Sequence, residues 1–245
     1  MAVKKFEAIP RDMSFILGNS LHRLMIEVAR VKKSRKKPAS SLEELAGHFF
    51  SAAVYRQMGK SARQVKFPRP WSYNKAVAWL AHYAKEIANL MDREGIGPLL
   101  MEAALAPYPL CKNQSLFAPD MYPDLIARRT QSGDLAILDY KTVALAKYGM
   151  YKEALEGDNL QEALHTLDQL VGYAAAAEHD KHAVNEKVDE IGLIIIPRTP
   201  LNKGTKPLPV LFLCAPFDRS KVKDWHSRQL EKILFGIAAD ENDND

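Results

Sequence analysis

The sequence lacks the features that mark membrane and secreted proteins. Its 245 residues contain no apolar run near the ~18 residues that a membrane-spanning helix needs. The N-terminal segment MAVKKFEAIPRDM has two lysines but no apolar stretch behind them, so no secretory signal is expected. Cys111 and Cys214, the only cysteines, cannot supply the four ligands of an iron–sulfur cluster or a structural zinc site. We therefore expect an intracellular protein without a disulfide framework.

Composition and charge indicate one globular domain with an acidic tail. The hydrophobic fraction of 47% and the charged fraction of 26% are typical of folded, water-soluble proteins. Residues 240–245 (DENDND) hold four carboxylates, and without them the net charge of +4 becomes +8. We expect a single domain over 1–239 followed by this tail. The basic body is compatible with a polyanionic partner, although charge alone fits many proteins.

The spacing of apolar residues predicts an α/β protein with a mixed sheet flanked by helices. Residues recurring at helical intervals predict helices over 14–31, 42–58, 72–93, 160–178 and 218–237. Short apolar or alternating runs predict strands over 99–106, 122–129, 135–142, 190–196 and 210–215. The core would span about 41–196 in the order helix, three strands, helix, strand. Helical additions are expected at 1–38 and 60–94, and a C-terminal strand and helix at 208–238.

Three local patterns place element boundaries. Residues 32–38 (KKSRKKP) carry five positive charges without an apolar residue, which is typical of an exposed linker. Ser41 is followed three residues later by Glu44, the capping-box pattern of a helix start. Gly133, between Ser and Asp, predicts a tight hairpin turn between the strands at 122–129 and 135–142.

Two carboxylates and an ammonium group are predicted to converge at this hairpin. Asp124 and Asp139 lie on the two antiparallel strands, and Lys141 follows two residues after Asp139. Because side chains on a strand alternate faces, Asp139 and Lys141 point the same way and Tyr140 points opposite. Carboxylate oxygens hold Mg²⁺ or Mn²⁺, and the lysine can orient a water molecule or stabilise negative charge. The patch is what metal-assisted phosphodiester cleavage requires.

The Asp-x-Lys pattern also has a non-functional interpretation. Such a triplet on a strand is common and usually forms a solvated face. Here Ala136, Ile137 and Leu138 lead directly into Asp139, so the charged residues stand at the end of a buried strand. This context favours a functional site.

The motif resembles that of the PD-(D/E)xK nucleases, and its Asp-Tyr-Lys-Thr form resembles their RecB-like exonuclease branch. Pro123-Asp124, a spacer and Asp139-Tyr140-Lys141-Thr142 carry the resemblance. It implies a restriction-endonuclease-like core. It also implies that Asp124 and Asp139 bind Mg²⁺ or Mn²⁺, with a further oxygen from the Tyr140 carbonyl. Lys141 would be the catalytic base or an electrostatic stabiliser.

Further residues agree with the RecB-like branch. That branch has a histidine on the helix before the strands, and His48 would match it. His48 would then be a metal ligand or a group that contacts the metal ligands. A Gln-x-x-x-Tyr pattern on the following helix is matched by Gln169 and Tyr173, which would position the substrate or brace the lysine. Glu102 matches an acidic residue often found on the first strand. One departure is that Gly47 directly precedes the histidine, whereas the branch often has glycine four residues before it.

A basic and aromatic segment at 60–75 is the candidate nucleic-acid interface. The segment interleaves Arg63, Lys66, Arg69 and Lys75 with Phe67, Trp71 and Tyr73, and the candidate contacts are Lys66, Arg69, Trp71 and Tyr73. Cations mixed with aromatic rings suit single-stranded nucleic acid. The equally open alternative is that Phe67 and Trp71 are core anchors of a loop.

Several functions remain open at the level of sequence. A metal-dependent DNA exonuclease acting on single strands or duplex ends, in recombination, repair or degradation, agrees best with the RecB-like resemblance. An endonuclease of the same fold and a non-catalytic binding module are the alternatives. The intact Asp-x-Lys argues against the non-catalytic alternative. A recombination partner protein or a homo-oligomer is possible, but the sequence does not support either.

Overall fold

The computed structural model describes residues 7–8, 13–34, 40–111, 116–118, 121–184, 186–202 and 204–234. The acidic run at 240–245 and the basic residues 35–37 lie outside the described residues. In chain order the elements of the first part are β1 Glu7–Ala8, α1 Ser14–Ser34, α2 Leu42–Met58, a 3₁₀ turn Ala62–Gln64, β2 Val65–Lys66 and α3 Tyr73–Arg93. They continue with β3 Ile96–Met101, β4 Leu125–Arg129, β5 Leu135–Val143, α4 Leu145–Glu156, α5 Leu160–His165, α6 Asp168–His179, β6 Glu190–Pro197, β7 Leu211–Pro216 and α7 Lys221–Leu234.

The chain groups into two compact units. The first, which we call the helical unit, comprises Met1–Leu90, Lys141–Tyr148 and Ile196–Val210. The second, the sheet unit, comprises Met91–Tyr140, Gly149–Ile195 and Leu211–Asp245. None of the described helices is long and apolar enough to cross a membrane.

Helix α1 follows from its apolar spacing but continues further than predicted. Its residues at helical intervals, Leu17, Leu21 and Leu24 among them, are fully buried. The helix includes Lys32 and continues to Ser34, so the prediction of a linker from residue 32 was wrong for its first three residues. Lysine has a favourable helix propensity, and a run of like charges does not by itself end a helix. Residues 35–38 of the predicted linker lie outside the described residues.

Helix α2 begins and ends at recognisable caps. The predicted capping box is confirmed: Glu44 N donates to Ser41 Oγ at 3.2 Å, and Ser41 N donates to Glu44 Oε2 at 2.8 Å. The helix ends at Gly59, whose φ of +63° is a left-handed conformation that glycine adopts without steric cost. The Gly59 N–H donates to the Tyr55 carbonyl at 2.8 Å, which closes the last turn.

Helix α3 is anchored through two buried aromatic side chains. Trp79 Nε1 donates to the Pro197 carbonyl, and the Tyr83 hydroxyl donates to the Leu208 carbonyl, each at 3.0 Å. Both rings are fully buried. Large aromatic side chains contribute most of the burial energy of such a core, and their polar ends need partners when buried. The helix predicted over 72–93 is thereby confirmed.

The five-stranded sheet is mixed, as predicted. Its strand order is β3-β4-β5-β6-β7. The pairs β3/β4, β4/β5 and β6/β7 are antiparallel. Asp189 N donates to the Leu135 carbonyl and Arg198 N to the Val143 carbonyl, so β5 and β6 start and end side by side and run in the same direction. A parallel pair needs a long crossover, which helices α4, α5 and α6 supply.

The first two strands differ from their predicted bounds. β3 occupies 96–101 instead of 99–106 and includes Pro98, which an edge strand tolerates because one of its sides forms no ladder. It ends where Glu102 adopts a φ of +47°. β4 begins at Leu125 and not at residue 122. The strands predicted at 135–142, 190–196 and 210–215 are confirmed within one residue at each end.

The helices after β5 were predicted incompletely. The single helix expected over 160–178 is two helices, α5 and α6, which are separated at Thr166 and Leu167. Helix α4 was not predicted because its apolar residues do not form one stripe: Tyr148 is buried, whereas Leu145 and Met150 are exposed. The last helix begins at Lys221, after a turn in which Ser220 N donates to Asp218 Oδ1 at 2.9 Å.

Candidate active site

The β4–β5 hairpin places the two predicted carboxylates opposite each other. Gly133 forms its turn with a φ of +82°, and Leu125 pairs with Leu138 at the far end of the ladder. Continuing this antiparallel register by one residue sets Asp124 opposite Asp139. The predicted convergence of these side chains therefore follows from the turn and the register of one hairpin.

A hydrogen bond fixes the Asp124 carboxylate against the strand that carries Asp139. Tyr140 N donates to Asp124 Oδ2 at 2.7 Å. Both aspartates are buried, with exposed fractions of 9% for Asp124 and 3% for Asp139. Buried carboxylates are costly unless they are paired, hydrogen-bonded or bound to a cation. Asp139 lies in the middle of β5 and not at a strand end as predicted, whereas Asp124 directly precedes β4. Side by side, the two carboxylates form an anionic centre suited to a cation.

The charge of this centre contributes to a raised pKa at two tyrosine hydroxyls. Burial raises the pKa of Tyr140, and the nearby charges of Asp124 and Asp139 raise it further. Burial also raises the pKa of Tyr173, reinforced by the charge of Asp139 and partly offset by a hydrogen bond from Gln169. Both phenols therefore stay protonated at neutral pH.

The predicted Gln-x-x-x-Tyr pair is formed within α6. Gln169 Nε2 donates to the Tyr173 hydroxyl oxygen at 2.7 Å, across one helical turn. Because the phenol oxygen accepts this bond, its own proton is directed elsewhere. The Tyr173 ring is buried, so its position is defined by packing as well as by the glutamine.

Lys141 lies two residues beyond Asp139 on the same strand. The two-residue period of β5 puts their side chains on one face of the sheet. Asp139 and Tyr140 are buried, whereas Lys141 is half-buried. An ammonium on a half-buried position keeps contact with solvent and with an incoming anion.

Glu102 does not lie on a strand, contrary to the prediction. It follows β3 directly, and its N–H donates to the Asp124 carbonyl at 3.1 Å. Among the described residues it is the only non-glycine with a positive φ. Such a backbone conformation costs about 1–3 kcal/mol and is found most often at functional sites. The half-buried Glu102 is therefore linked to Asp124 by a backbone hydrogen bond and has a strained backbone conformation.

His48 lies on α2, in the helical unit. It is exposed, and its ring contacts Phe49 edge to face with a centroid distance of 5.5 Å. Together with Glu43 and Glu44 it lines a shallow surface pocket of about 490 Å³. Its role as a metal ligand stays a prediction.

A comparison with known protein families matches nearly the whole chain. A sequence model of the PD-(D/E)XK nuclease superfamily matches residues 3–242. The chain belongs to the PD-(D/E)XK nuclease superfamily. The mixed five-stranded sheet with helices on the N-terminal side is consistent with the restriction-endonuclease-like fold. A search of the curated proteins found no match to the chain.

PD-(D/E)XK nucleases are in general hydrolases of nucleic acids that use divalent metal ions. The donors at the hairpin, two buried carboxylates and a backbone carbonyl, are hard oxygen ligands that fit Mg²⁺ or Mn²⁺. Among the residues that the structure describes, no group of three or more His, Cys, Asp or Glu side chains is placed to hold a metal ion. Such an ion would therefore complete its coordination with water and substrate oxygens, as Mg²⁺ commonly does.

The aromatic residues of the predicted nucleic-acid interface in this nuclease have packing roles. Trp71 contacts the buried Trp79 edge to face at 6.1 Å. The Tyr73 hydroxyl donates to the Gly47 carbonyl at 3.3 Å. In contrast, Lys66 and Arg69 are exposed. The contact of Trp71 supports the alternative that this ring is a core anchor, and binding of nucleic acid by the four residues stays a prediction.

Proposed function

We propose that this chain is a Mg²⁺- or Mn²⁺-dependent DNA exonuclease of the RecB-like kind, with Asp124, Asp139 and Lys141 as its catalytic residues. The observation that supports the proposal most is the Asp124–Tyr140 hydrogen bond. This bond holds the buried Asp124 carboxylate opposite Asp139. Asp139 lies on β5, the strand that also carries Lys141. The Asp-Tyr-Lys-Thr form of the motif and the Gln169–Tyr173 pair support the RecB-like branch.

In the proposed mechanism, Asp124, Asp139 and the Tyr140 carbonyl would hold the divalent cation. When bound, the cation supplies a water molecule of lowered pKa and neutralises charge on the phosphate. The attacking water oxygen would form a new P–O bond and release its proton to solvent, while the bridging P–O bond breaks and the leaving oxygen takes a proton from solvent. The Lys141 ammonium orients the water and stabilises the negative charge of the transition state.

Tyr173 has a positioning role in this proposal. Its protonated hydroxyl accepts a hydrogen bond from Gln169, so its proton can be donated towards Asp139 or a substrate oxygen. The raised pKa of the phenol keeps that donor intact at neutral and mildly alkaline pH.

The test compares linear and circular duplex DNA of the same sequence, with Mg²⁺ and with a chelator. An exonuclease degrades the linear molecule from its ends and leaves the covalently closed circle intact. Equal cleavage of both forms would show an endonuclease instead. An absence of Mg²⁺-dependent cleavage on every substrate, in protein that binds DNA, would leave the non-catalytic module as the function.

A further inference from the structure

The helical unit contains a long segment free of acidic residues. No Asp or Glu occurs between Glu44 and Glu86. Five cations recur every three or four residues within this segment: Arg56, Lys60, Arg63, Lys66 and Arg69. All of them except the half-buried Lys60 are exposed. Exposed charges of one sign that recur through a segment containing no Asp or Glu are the electrostatic footprint of a polyanion site.

A pocket of about 420 Å³ opens beside these cations. It lies at the C-terminal end of α2 and is lined by Ser51, Tyr55, Ser61, Ala62, Arg63 and Tyr73. Its volume is within the range of sites that bind small organic groups. Tyr55 lies at the pocket and is 63% exposed, so its ring is accessible to a ligand.

The pocket walls are held in place by hydrogen bonds. The Tyr73 hydroxyl is 3.2 Å from Ser51 Oγ, which donates to the Gly47 carbonyl at 2.8 Å. A Cβ at Gly47 would come within 3.1 Å of the Tyr73 hydroxyl, so glycine permits this close approach. On the other side, Ser61 N and Oγ both donate to Gln64 Oε1 and thereby fix the 3₁₀ turn that carries Arg63.

The chemistry of the pocket suits a planar base more than a phosphate. The C-terminal end of a helix carries partial negative charge, which disfavours an anion at that position. The adjoining pocket, which shares Ser51 and Tyr73, is lined by Glu43 and Glu44. A nucleotide would therefore place its base against the Tyr55 ring and its phosphates along the side of Arg63.

We propose that this pocket binds an unstacked base of single-stranded nucleic acid, with Tyr55 as the stacking surface and Arg63 as the contact to the neighbouring phosphate. The proposal rests on the proposed nuclease function, since it assigns that enzyme a second contact with its substrate. It adds Tyr55 of α2 to the predicted interface at 60–75, to which Arg63 belongs. Tyr73 lines the pocket, whereas Trp71 packs against Trp79. Bases in a duplex are stacked and paired, so the pocket distinguishes single strands from duplex.

The decisive measurement is the affinity of the full chain for fluorescein-labelled oligodeoxythymidine, followed by fluorescence anisotropy in EDTA to prevent cleavage. Tyr55→Ala should weaken binding by about 5- to 150-fold, the loss that one base–aromatic stack produces. Tyr55→Phe should retain the affinity because the ring remains. Phe15→Ala is the matched control: Phe15 is a helix aromatic that is also 63% exposed, and its removal should change nothing.

Salt titrations separate stacking from charge. Arg63→Gln should lower the slope of log affinity against log salt concentration by about 0.7, the value for one phosphate contact on a single strand. Tyr55→Ala should leave the slope unchanged. Lys223→Gln, which removes an exposed cation from α7, should alter neither the slope nor the affinity.

Two further experiments test whether an unstacked base occupies the pocket. On blunt duplex DNA and on an abasic single strand, Tyr55→Ala should bind as tightly as the parent protein. Photocrosslinking of oligonucleotides that contain 5-iododeoxyuridine should label Tyr55, and this result does not depend on the folding of a variant. Equal losses on single strand and duplex, or no effect of Tyr55→Ala beyond that of Phe15→Ala, would overturn the pocket. Parent protein that neither binds nor cleaves any nucleic acid would instead overturn the proposed function.

Discussion

Asp124 and Tyr140 are joined by a hydrogen bond of 2.7 Å between a buried carboxylate oxygen and a backbone N–H. The bond connects the residue that precedes β4 to the residue between Asp139 and Lys141 on β5. One carboxylate of the proposed catalytic site is thus positioned by the backbone of the strand that carries the other two residues. The consequence is that Asp124 has two roles, in the local structure and in the proposed metal site.

Substitutions of Asp124 should separate these two roles. Asp124→Asn keeps an oxygen that can accept the Tyr140 N–H, so the protein should remain as stable as the parent while Mg²⁺-dependent cleavage is lost. Asp124→Ala leaves a buried N–H without an acceptor and should lower the free energy of unfolding by about 1–3 kcal/mol. Asp139→Asn should also abolish cleavage. Denaturant unfolding and a cleavage assay in excess Mg²⁺ measure both effects, and activity in Asp139→Asn would contradict the site.

Lys141 should act on turnover and little on binding. Lys141→Ala should reduce kcat by at least ~10²-fold, the usual loss when a positioned electrostatic group is removed. The affinity for DNA in a chelator should fall only slightly, because one phosphate contact among several is removed. Lys66→Ala on the exposed face of β2 is the matched control, with a small effect on affinity and none on kcat. A Lys141→Ala variant that loses affinity and keeps its kcat would assign the lysine to binding alone.

The hairpin site could be predicted because its geometry depends on local rules. The turn at Gly133 and the two-residue period of strands decide which side chains face together. The buried run before Asp139 fixes the strand on which they lie. The register then follows from the turn, so Asp124 and Asp139 meet without any contribution from distant residues.

Features decided by tertiary packing were missed. Helix α4 has no apolar stripe, and the break at Thr166 is not marked by proline or glycine. The strand predicted over 99–106, which included Glu102, was misplaced because sequence patterns treat Pro98 as a strand breaker. The edge position of β3 tolerates this proline. Tyr55 gave no signal of its own, since an exposed and a buried helix tyrosine look alike in sequence. The sequence feature that pointed to this region as a nucleic-acid site was the absence of acidic residues between Glu44 and Glu86.

Asp168 should make the stability of the sheet unit depend on pH. Its oxygens accept hydrogen bonds from Arg228 at 2.8 Å, from Lys232 at 2.8 Å and from Gln229 at 3.1 Å. Burial alone would raise the pKa of Asp168, but the hydrogen bonds and charges of Lys232 and Arg228 outweigh it and lower the pKa. A carboxyl with a lowered folded-state pKa stabilises the fold above its unfolded value, about 3.9, and loses that effect as pH falls through the folded value.

Asp168→Asn should therefore be less stable than the parent at pH 7, by about 1 kcal/mol, because the ion pairs are partly exposed. The difference should shrink as the pH is lowered below about 3.9, where the parent carboxyl becomes protonated. Glu153→Gln, on the exposed surface of α4, should match the parent across the same range. Urea unfolding between pH 3 and pH 7 measures the difference. A gap between parent and Asp168→Asn that stays constant over this range would show that the carboxyl acts through shape and not through charge.

Two glycines in helices should respond to alanine in opposite directions. Gly172 lies on α6, where a Cβ would come within 2.9 Å of Trp225 Cζ2. The Trp225 ring is buried and cannot move aside, so Gly172→Ala should lower the free energy of unfolding by about 1–3 kcal/mol. Gly149 lies on α4 with nothing within 4 Å of its Cβ position. Gly149→Ala should raise the free energy of unfolding by about 0.5–1 kcal/mol, the difference in helix propensity. Equal effects of the two substitutions in urea unfolding would show that α6 does not pack closely on Trp225.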